Sequence, residues 1–184
     1  MSRETHLATP EWLIENLSDK AIKIFDATYF LPTHKRDADA EYAAEHIPSA
    51  LRFDIDKIKD PNSDQPHMLP SADIFEMHMQ SLGLINGQKI VVYDNSPFLS
   101  SARAWWMLRM FGHDNVVVLD GGFKAYKKLG GPIETGAPAI ATKSDFSASA
   151  AKGANVISFD NLSAIIAENN GTQLLDARSS ARFT

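Results

Sequence analysis

The 184-residue chain contains no cysteine, and this absence excludes several kinds of chemistry. Without a thiol, these residues form no disulfide, hold no metal through thiolates and carry no cysteine nucleophile. No apolar run approaches the roughly 20 residues that a membrane-spanning helix needs. A basic excess is lacking too, because 18 Lys and Arg face 23 Asp and Glu, for a formal net charge of -5. We therefore predict neither a nucleic-acid partner nor a membrane partner.

The sequence also gives no sign of a leader peptide, a metal site or a dinucleotide site. Its first residues, Met-Ser-Arg-Glu-Thr-His, do not resemble a secretory signal peptide, so the expected location is the cytoplasm. His67, His78 and His113 do not have metal-ligand spacing. Gly121-Gly122 lacks the further glycine of a dinucleotide-binding loop and predicts a turn. No metal and no cofactor is predicted.

The stretch from 89 to 123 predicts the centre of the fold. Ile90 to Tyr93 is a continuous apolar run that ends at Asp94, as is typical of a parallel strand covered on both faces. A polar loop follows, in which Ser100 or Ser101 is suited to cap the next helix. Ligands in such sheets bind at the loops that follow the carboxyl ends of strands. The loop after Asp94 is therefore the expected place of a site.

Strands and helices alternate up to residue 135, which predicts an α/β domain with a mainly parallel central sheet flanked by helices. From 136 to 154 the composition changes to Ala, Ser, Thr, Lys, Gly and Pro, as is typical of an interdomain linker. A helix from 158 to 168 and a strand from 173 to 177 follow. One helix and one strand cannot bury a core. We therefore interpret 155–184 as the truncated start of a second domain.

Short motifs spread over nearly the whole chain carry a family resemblance. They are Glu41-Tyr42, His46 to Ala50, His67 to Ser71, Val92 to Asp94, Arg103 to Met107, Leu119 to Phe123, Leu175 to Arg178, and Arg182-Phe183. In this order they resemble the tandem-domain rhodanese-type sulfurtransferases of the thiosulfate and 3-mercaptopyruvate group. Ser49 replaces the usual Gly and Tyr126 the usual Trp, which we interpret as local packing changes.

The resemblance implies a rhodanese-like three-layer fold, a non-catalytic first domain (1–135) and a catalytic second domain. In the family, a cysteine at the end of the central strand takes up sulfur as a persulfide. Asp94 occupies that place here and is interpreted as a degenerate nucleophile position. Its carboxylate repels an anionic donor, and Pro97 removes one backbone amide from a loop that we expect to be too long for its amides to converge. Asp26 and Asp176 begin two Asp-Ala pairs that are 150 residues apart. This interval places the missing cysteine at roughly 240, beyond Thr184.

Three further residues acquire possible roles through the resemblance. Arg182 is expected to bind the substrate anion, because a guanidinium fork suits a carboxylate or thiosulfate. The alternative is a surface arginine. His46 and Asp37 are expected to form a supporting His-Asp pair, and the alternative is that His46 caps a helix C-terminus, where the dipole favours an imidazole.

Two functions remain open at this point. The first is the N-terminal part of a sulfurtransferase whose partners are a small anionic sulfur donor, a thiol or cyanide acceptor, and its own second domain. The chain by itself would then be inactive. The second is a non-catalytic rhodanese-like binding or regulatory module. Phosphatases built on a related fold also need a loop cysteine and are not favoured.

Overall fold

The computed structural model describes residues 6–150, 156–168, 171–178 and 180. The chain forms two compact units, Met1–Ala151 and Lys152–Thr184. The first unit holds the sheet and both hydrophobic cores, and it is described first.

Five short strands form one sheet in the first unit: β1 Leu7–Ala8, β2 Ile22–Asp26, β3 Leu51–Arg52, β4 Lys89–Tyr93 and β5 Val116–Leu119. Their order is β1-β5-β4-β2-β3, and every neighbouring pair is parallel. Parallel neighbours need a crossover connection, and helices supply it here. The predicted mainly parallel α/β fold is therefore confirmed. All five strands end at one edge, where the candidate site lies.

The described residues of the first unit form five α-helices, α1 Pro10–Glu15, α2 Ala38–Ala44, α3 Ala72–Ser81, α4 Ser101–Met110 and α5 Gly122–Lys128, and those of the second unit form α6 Phe159–Glu168. Side-chain caps begin the first three of them, because Thr9 accepts a hydrogen bond from the Trp12 amide, Asp37 accepts from the Asp39 and Ala40 amides, and Ser71 accepts from the Ile74 amide. The predicted cap of α4 is wrong. Ser100 makes no capping hydrogen bond, because its hydroxyl donates to the Ala27 carbonyl instead.

The sheet is covered on both faces, which produces three layers. On one face, buried Phe25 and Val92 belong to a core that includes residues of α3 and α4. On the other face, buried Ile24 and Val91 pack in a core that includes residues of α1, α2 and α5. Successive residues of a strand point to opposite faces of the sheet. A strand that lies between two helix layers therefore needs apolar residues at every position. This explains the continuous apolar run that the sequence shows in β4.

The first unit extends past the predicted boundary at 135. The described residues from 136 to 150 contain no helix or strand, yet they pack closely. Phe146 is only 1% exposed and belongs to the core beside Phe75. The Ser144 hydroxyl donates to the Leu84 carbonyl at 2.5 Å, and the Ser149 amide donates to the Phe111 carbonyl at 2.9 Å. The predicted linker thus begins with a docked segment, and residues 151–154 lie outside the described part.

In the second unit, the helix predicted from 158 to 168 is observed as α6. The strand predicted from 173 to 177 is wrong for the described residues, which are irregular there, and Leu175 is 93% exposed. A strand needs a neighbouring strand for its backbone hydrogen bonds, and the sheet formed by the described residues does not include this segment. Across the described ranges, no helix is both long and apolar enough to cross a membrane.

Candidate functional site

Two neighbouring cavities open where β2, β4 and β5 end. The smaller, of about 360 Å³, is lined by residues that include Asp26, Thr28 and Glu41. The larger, of about 640 Å³, lies beside the loops that follow Asp94 and Asp120. Arg36 and Asn95 line both cavities. The sequence predicted a site at the loop after Asp94, and the structure places concave surface there.

The carboxylate of Asp94 is bound by its own loop. Asp94 is 5% exposed. One carboxylate oxygen accepts hydrogen bonds from the Ser96 amide at 3.0 Å and the Ser96 hydroxyl at 2.9 Å. The other accepts the Ser101 amide at 2.7 Å. We predicted from the sequence that the loop amides do not converge on this position, and that prediction is wrong, because two of them point at the carboxylate. The loop amides therefore bind the carboxylate of Asp94 at the place where they could otherwise bind an anion from solution.

A hydroxyl network fixes the same loop to the end of β2. The Ser96 hydroxyl accepts the Ser100 amide at 3.2 Å, and the Ser100 hydroxyl donates to the Ala27 carbonyl at 2.7 Å. The Tyr29 amide in turn donates to the Ser100 hydroxyl at 3.2 Å. These contacts satisfy buried polar groups on both sides of the loop. Side chains of the loop itself thus fix its geometry.

Gly122 explains how the next loop approaches so closely. It has φ +59°, and a Cβ built on it would lie 2.5 Å from the Asp94 carbonyl oxygen. That carbonyl also accepts the Phe123 amide at 2.9 Å. A side chain at position 122 would therefore clash with backbone and strain φ. The Asp-Gly-Gly sequence is a turn, as predicted, and it holds β4 and α5 together.

Arg36 lines both cavities, but its charge is already compensated. Its guanidinium donates twice to Glu41, at 2.6 Å each, and lies 3.9 Å from the centre of the Phe30 ring. Asn95 also donates to Glu41 at 3.1 Å. The bidentate carboxylate raises the pKa of Arg36. Arg36 therefore shapes the wall of the cavities and is not a free anion-binding group.

The structure does not bring His46 and Asp37 together. Asp37 caps the N-terminus of α2, accepting from the Asp39 and Ala40 amides. His46 follows the other end of a helix that is about 10 Å long. Its ring is buried and stacks on Tyr42 at 3.9 Å, Nδ1 lies 2.7 Å from the Tyr42 carbonyl, and Nε2 lies 4.0 Å from a Glu134 carboxylate oxygen. This geometry favours the alternative, in which His46 binds a C-terminal carbonyl of α2.

A different His-Asp pair, which the sequence analysis missed, is formed by His67 and Asp56. Nε2 of His67 lies 2.8 Å from the Asp56 carboxylate, and Tyr29 contacts the imidazole edge-on at 4.9 Å. Burial, and secondarily the charge of Asp56, raise the pKa of Tyr29. The backbone carbonyl of His67 accepts a 2.7 Å hydrogen bond from Arg103. An imidazole oriented by a carboxylate is the arrangement that general acid-base catalysis uses. The sequence signal that could have pointed to this pair was His67, which begins the family motif from His67 to Ser71.

The predicted substrate-binding residue, Arg182, lies outside the described residues. Within the described ranges, no group of three or more His, Asp or Glu side chains is placed to hold a metal ion. The residues that define this site are therefore the internally bound Asp94 and the loop around it. The His67-Asp56 pair is linked to this loop through Tyr29, whose ring contacts His67 and whose amide donates to the Ser100 hydroxyl.

Comparison with known proteins identifies the family. The model of the rhodanese-like domain matches residues 9–129, and the chain belongs to the rhodanese-like domain family. It is 37% identical over 174 residues to the 3-mercaptopyruvate sulfurtransferase of Escherichia coli K12, covering 94% of this chain and 61% of that protein. It is 40% identical over 137 residues to thiosulfate/3-mercaptopyruvate sulfurtransferase 1, mitochondrial, of Arabidopsis thaliana, covering 74% of this chain and 36% of that protein.

Solved structures agree with this assignment. The crystal structure of SseA, a 3-mercaptopyruvate sulfotransferase of Escherichia coli, superposes with a TM-score of 0.87 at 35% identity, covering 96% of this chain and 67% of that one. Tum1 of Saccharomyces cerevisiae superposes with a TM-score of 0.86 at 28% identity, covering 97% and 62%. The resemblance to rhodanese-type sulfurtransferases is confirmed. The chain spans only 36% and 61% of the two relatives named above.

Proposed function

We propose that the protein is a sulfurtransferase that moves sulfane sulfur from 3-mercaptopyruvate or thiosulfate to a thiol or cyanide acceptor. The reaction would use a cysteine persulfide formed beyond residue 184, in a second rhodanese-like domain that begins near 155. Residues 1–135 would be the non-catalytic first domain. The observation that carries this proposal is Asp94, whose carboxylate fills the loop that holds the cysteine in the family. The names of the relatives support the reaction.

The first unit is inactive in this proposal for two chemical reasons. Sulfur transfer needs a nucleophile that forms a persulfide, and a carboxylate cannot carry sulfane sulfur in this way. The two loop amides that could attract a thiosulfate or carboxylate anion are already bound to Asp94. An incoming anion would have to displace a buried, hydrogen-bonded carboxylate and would meet its charge.

The first unit still contributes to the proposed enzyme. Its predicted partner is its own second domain. In the first unit, the His67-Asp56 pair would serve in proton transfer, and from the second unit Arg182 would bind the donor anion. The cytoplasmic location stays a prediction, and one Arabidopsis relative is named mitochondrial.

The test compares the 184-residue chain with the product of the same gene extended through the proposed second domain. Each is assayed with thiosulfate and cyanide and with 3-mercaptopyruvate and a thiol. We expect turnover by the extended protein only, and loss of that turnover when the cysteine near 240 is changed to serine. Turnover by the 184-residue chain would refute the assignment of the nucleophile.

The second candidate function is a non-catalytic rhodanese-like binding or regulatory module. The internally bound Asp94 favours it for the first unit taken alone, because the loop is filled without any ligand. Aspartate or serine at the position near 240, together with an inactive extended protein, would decide for this alternative.

A further inference from the structure

Arg103, on helix α4, is a half-buried cation without a counter-charge. Its Nε is buried and has no hydrogen-bond partner among the described residues. No carboxylate in the described part of the chain forms an ion pair with it, and burial lowers the pKa of its guanidinium. A partly desolvated charge reduces stability unless other contacts compensate for it. The contacts that Arg103 does make therefore need a reason.

Arg109, also on α4, provides the comparison. Each of the two guanidinium groups lies over an indole ring, at 4.6 Å from its centre for Arg103 and 5.0 Å for Arg109. Arg109 then pairs with the Asp114 carboxylate at 3.5 Å. Arg103 instead donates from Nη2 to the backbone carbonyl of His67 at 2.7 Å. The two arginines thus share the stacking on an indole and differ in the group that they bind.

The backbone of His67 has a conformation that its surroundings must hold. Its φ is +57°, in the left-handed region that residues with a side chain rarely adopt. Such a residue persists only where neighbouring groups fix it. Here two successive carbonyls are bound, because Arg103 donates to that of His67 and the Asp60 amide donates to that of Met68 at 3.0 Å. The first of these contacts ties the loop to α4.

The imidazole of His67 has weaker restraints of its own. Its Nε2 lies 2.8 Å from Asp56, but the Asp56 side chain is 60% exposed. Exposed ion pairs contribute little to fixing a geometry. The other contact is the edge of the Tyr29 ring, 4.9 Å away between ring centres. The position of the imidazole therefore depends on the backbone conformation of His67.

We propose that Arg103 is a positioning residue, which holds His67 in its left-handed conformation and so keeps the imidazole beside Asp56. The need for this imidazole in proton transfer rests on the function proposed above, whereas the geometry does not. A charged donor makes a stronger hydrogen bond to a carbonyl than a neutral one, and the planar guanidinium is held in place by stacking on Trp106. With no carboxylate beside it, Arg103 has its N–H donors available for the carbonyl.

The first experiment measures this geometry by NMR in the 184-residue chain and needs no turnover. The variant is Arg103→Met, which removes the donors and keeps an unbranched apolar side chain. The matched control is Arg109→Met. Two nuclear Overhauser effects are followed. One joins the amide proton and Hα of His67 and is strongest at positive φ, where these protons are closest. The other joins the rings of His67 and Tyr29.

We expect both effects in the unmodified chain and in Arg109→Met, and loss of both in Arg103→Met, with the fold unchanged by circular dichroism. Both effects at full strength in Arg103→Met would overturn the proposal, because His67 would then hold its conformation without the arginine. If Arg103→Met does not fold, Arg103→Gln, which is shorter and uncharged, decides in the same way.

The second experiment measures kcat and KM for 3-mercaptopyruvate and a thiol in the extended protein. Arg103→Met should lower kcat about ten- to a hundredfold and leave KM within about twofold, since it misplaces a proton-transfer group and removes no donor contact. In a His67→Gln background the same change should cause no further loss, because both changes act through one imidazole. An equal loss with and without His67, or a rise in KM alone, would overturn the proposal. An inactive extended protein would refute the proposed function, and the NMR result would then decide the role of Arg103 by itself.

Discussion

The hydrogen bonds around Asp94 allow the cost of removing its charge to be worked out. In Asp94→Asn, the remaining carbonyl oxygen can still accept from one loop amide, but the new amide group must face the other. One of the amides of Ser96 and Ser101 then loses its acceptor, and the buried Ser101 amide has no water to replace it. A hydrogen bond to a charged group contributes about 1.5–3 kcal/mol, and leaving a buried donor unsatisfied adds to that loss. We expect the variant to lose about 2–4 kcal/mol of unfolding free energy.

Urea unfolding of the 184-residue chain, followed by tryptophan fluorescence, measures this loss. The urea concentration at the midpoint of unfolding should fall. The slope of the unfolding free energy against urea concentration should stay the same, because the surface exposed on unfolding does not change. Asp64→Asn is the matched control, since Asp64 is an exposed loop carboxylate. A loss below about 0.5 kcal/mol for Asp94→Asn, equal to that of the control, would refute the assignment of Asp94 as a structural anion.

Three further predictions concern the docked segment, the donor anion and the loop. Phe146→Ala should lower the free energy of unfolding by about 3–5 kcal/mol in urea unfolding, because the ring is fully buried. In the extended protein, Arg182→Ala should lower kcat/KM for 3-mercaptopyruvate or thiosulfate by an amount equivalent to about 2–4 kcal/mol, with the fold unchanged by circular dichroism. In Asp94→Cys, the amides of Ser96 and Ser101 should lower the pKa of the new thiol below its ordinary value of about 8.5, as measured by the pH dependence of alkylation.

Each of these has a result that contradicts it. A loss near 1 kcal/mol for Phe146→Ala would mean that the segment is only loosely docked. An unchanged kcat/KM for both donors would return Arg182 to the surface-arginine interpretation. A thiol at position 94 that titrates at or above its ordinary value would show that the amides turn away once the carboxylate is gone.

The parts of the fold that depend on local pattern could be predicted from the sequence. The apolar run from Ile90 to Tyr93 identified the central strand, because a strand between two helix layers has no polar face. Thr9-Pro10 identified the start of α1 through capping and proline geometry. These signals involve only a few neighbouring residues, so they can be recognised without knowledge of the tertiary structure.

The parts that depend on distant partners could not be predicted. Serine is a residue type that commonly caps helices. The Ser100 hydroxyl nevertheless donates to the Ala27 carbonyl, which is 73 residues away in the sequence, and does not cap α4. His67 and Asp56 meet through an irregular loop with no periodic spacing. Phe146 stands among small polar residues, so composition suggested a linker, while its burial depends on α3 and α4. In each case the competing partner is set by topology, which local pattern does not encode.

The docked position of Phe146 has a consequence for synthesis of the protein. The core of the first unit lacks one of its fully buried side chains until residue 146 has left the ribosome, although the sheet and helices α1 to α5 are complete by Lys128. Elongation at about 5–20 residues per second separates the two events by roughly one to four seconds. During that interval the space that Phe146 fills beside Phe75 is open on a nascent chain. Chaperones that bind exposed apolar surface would therefore have access to this region during that interval.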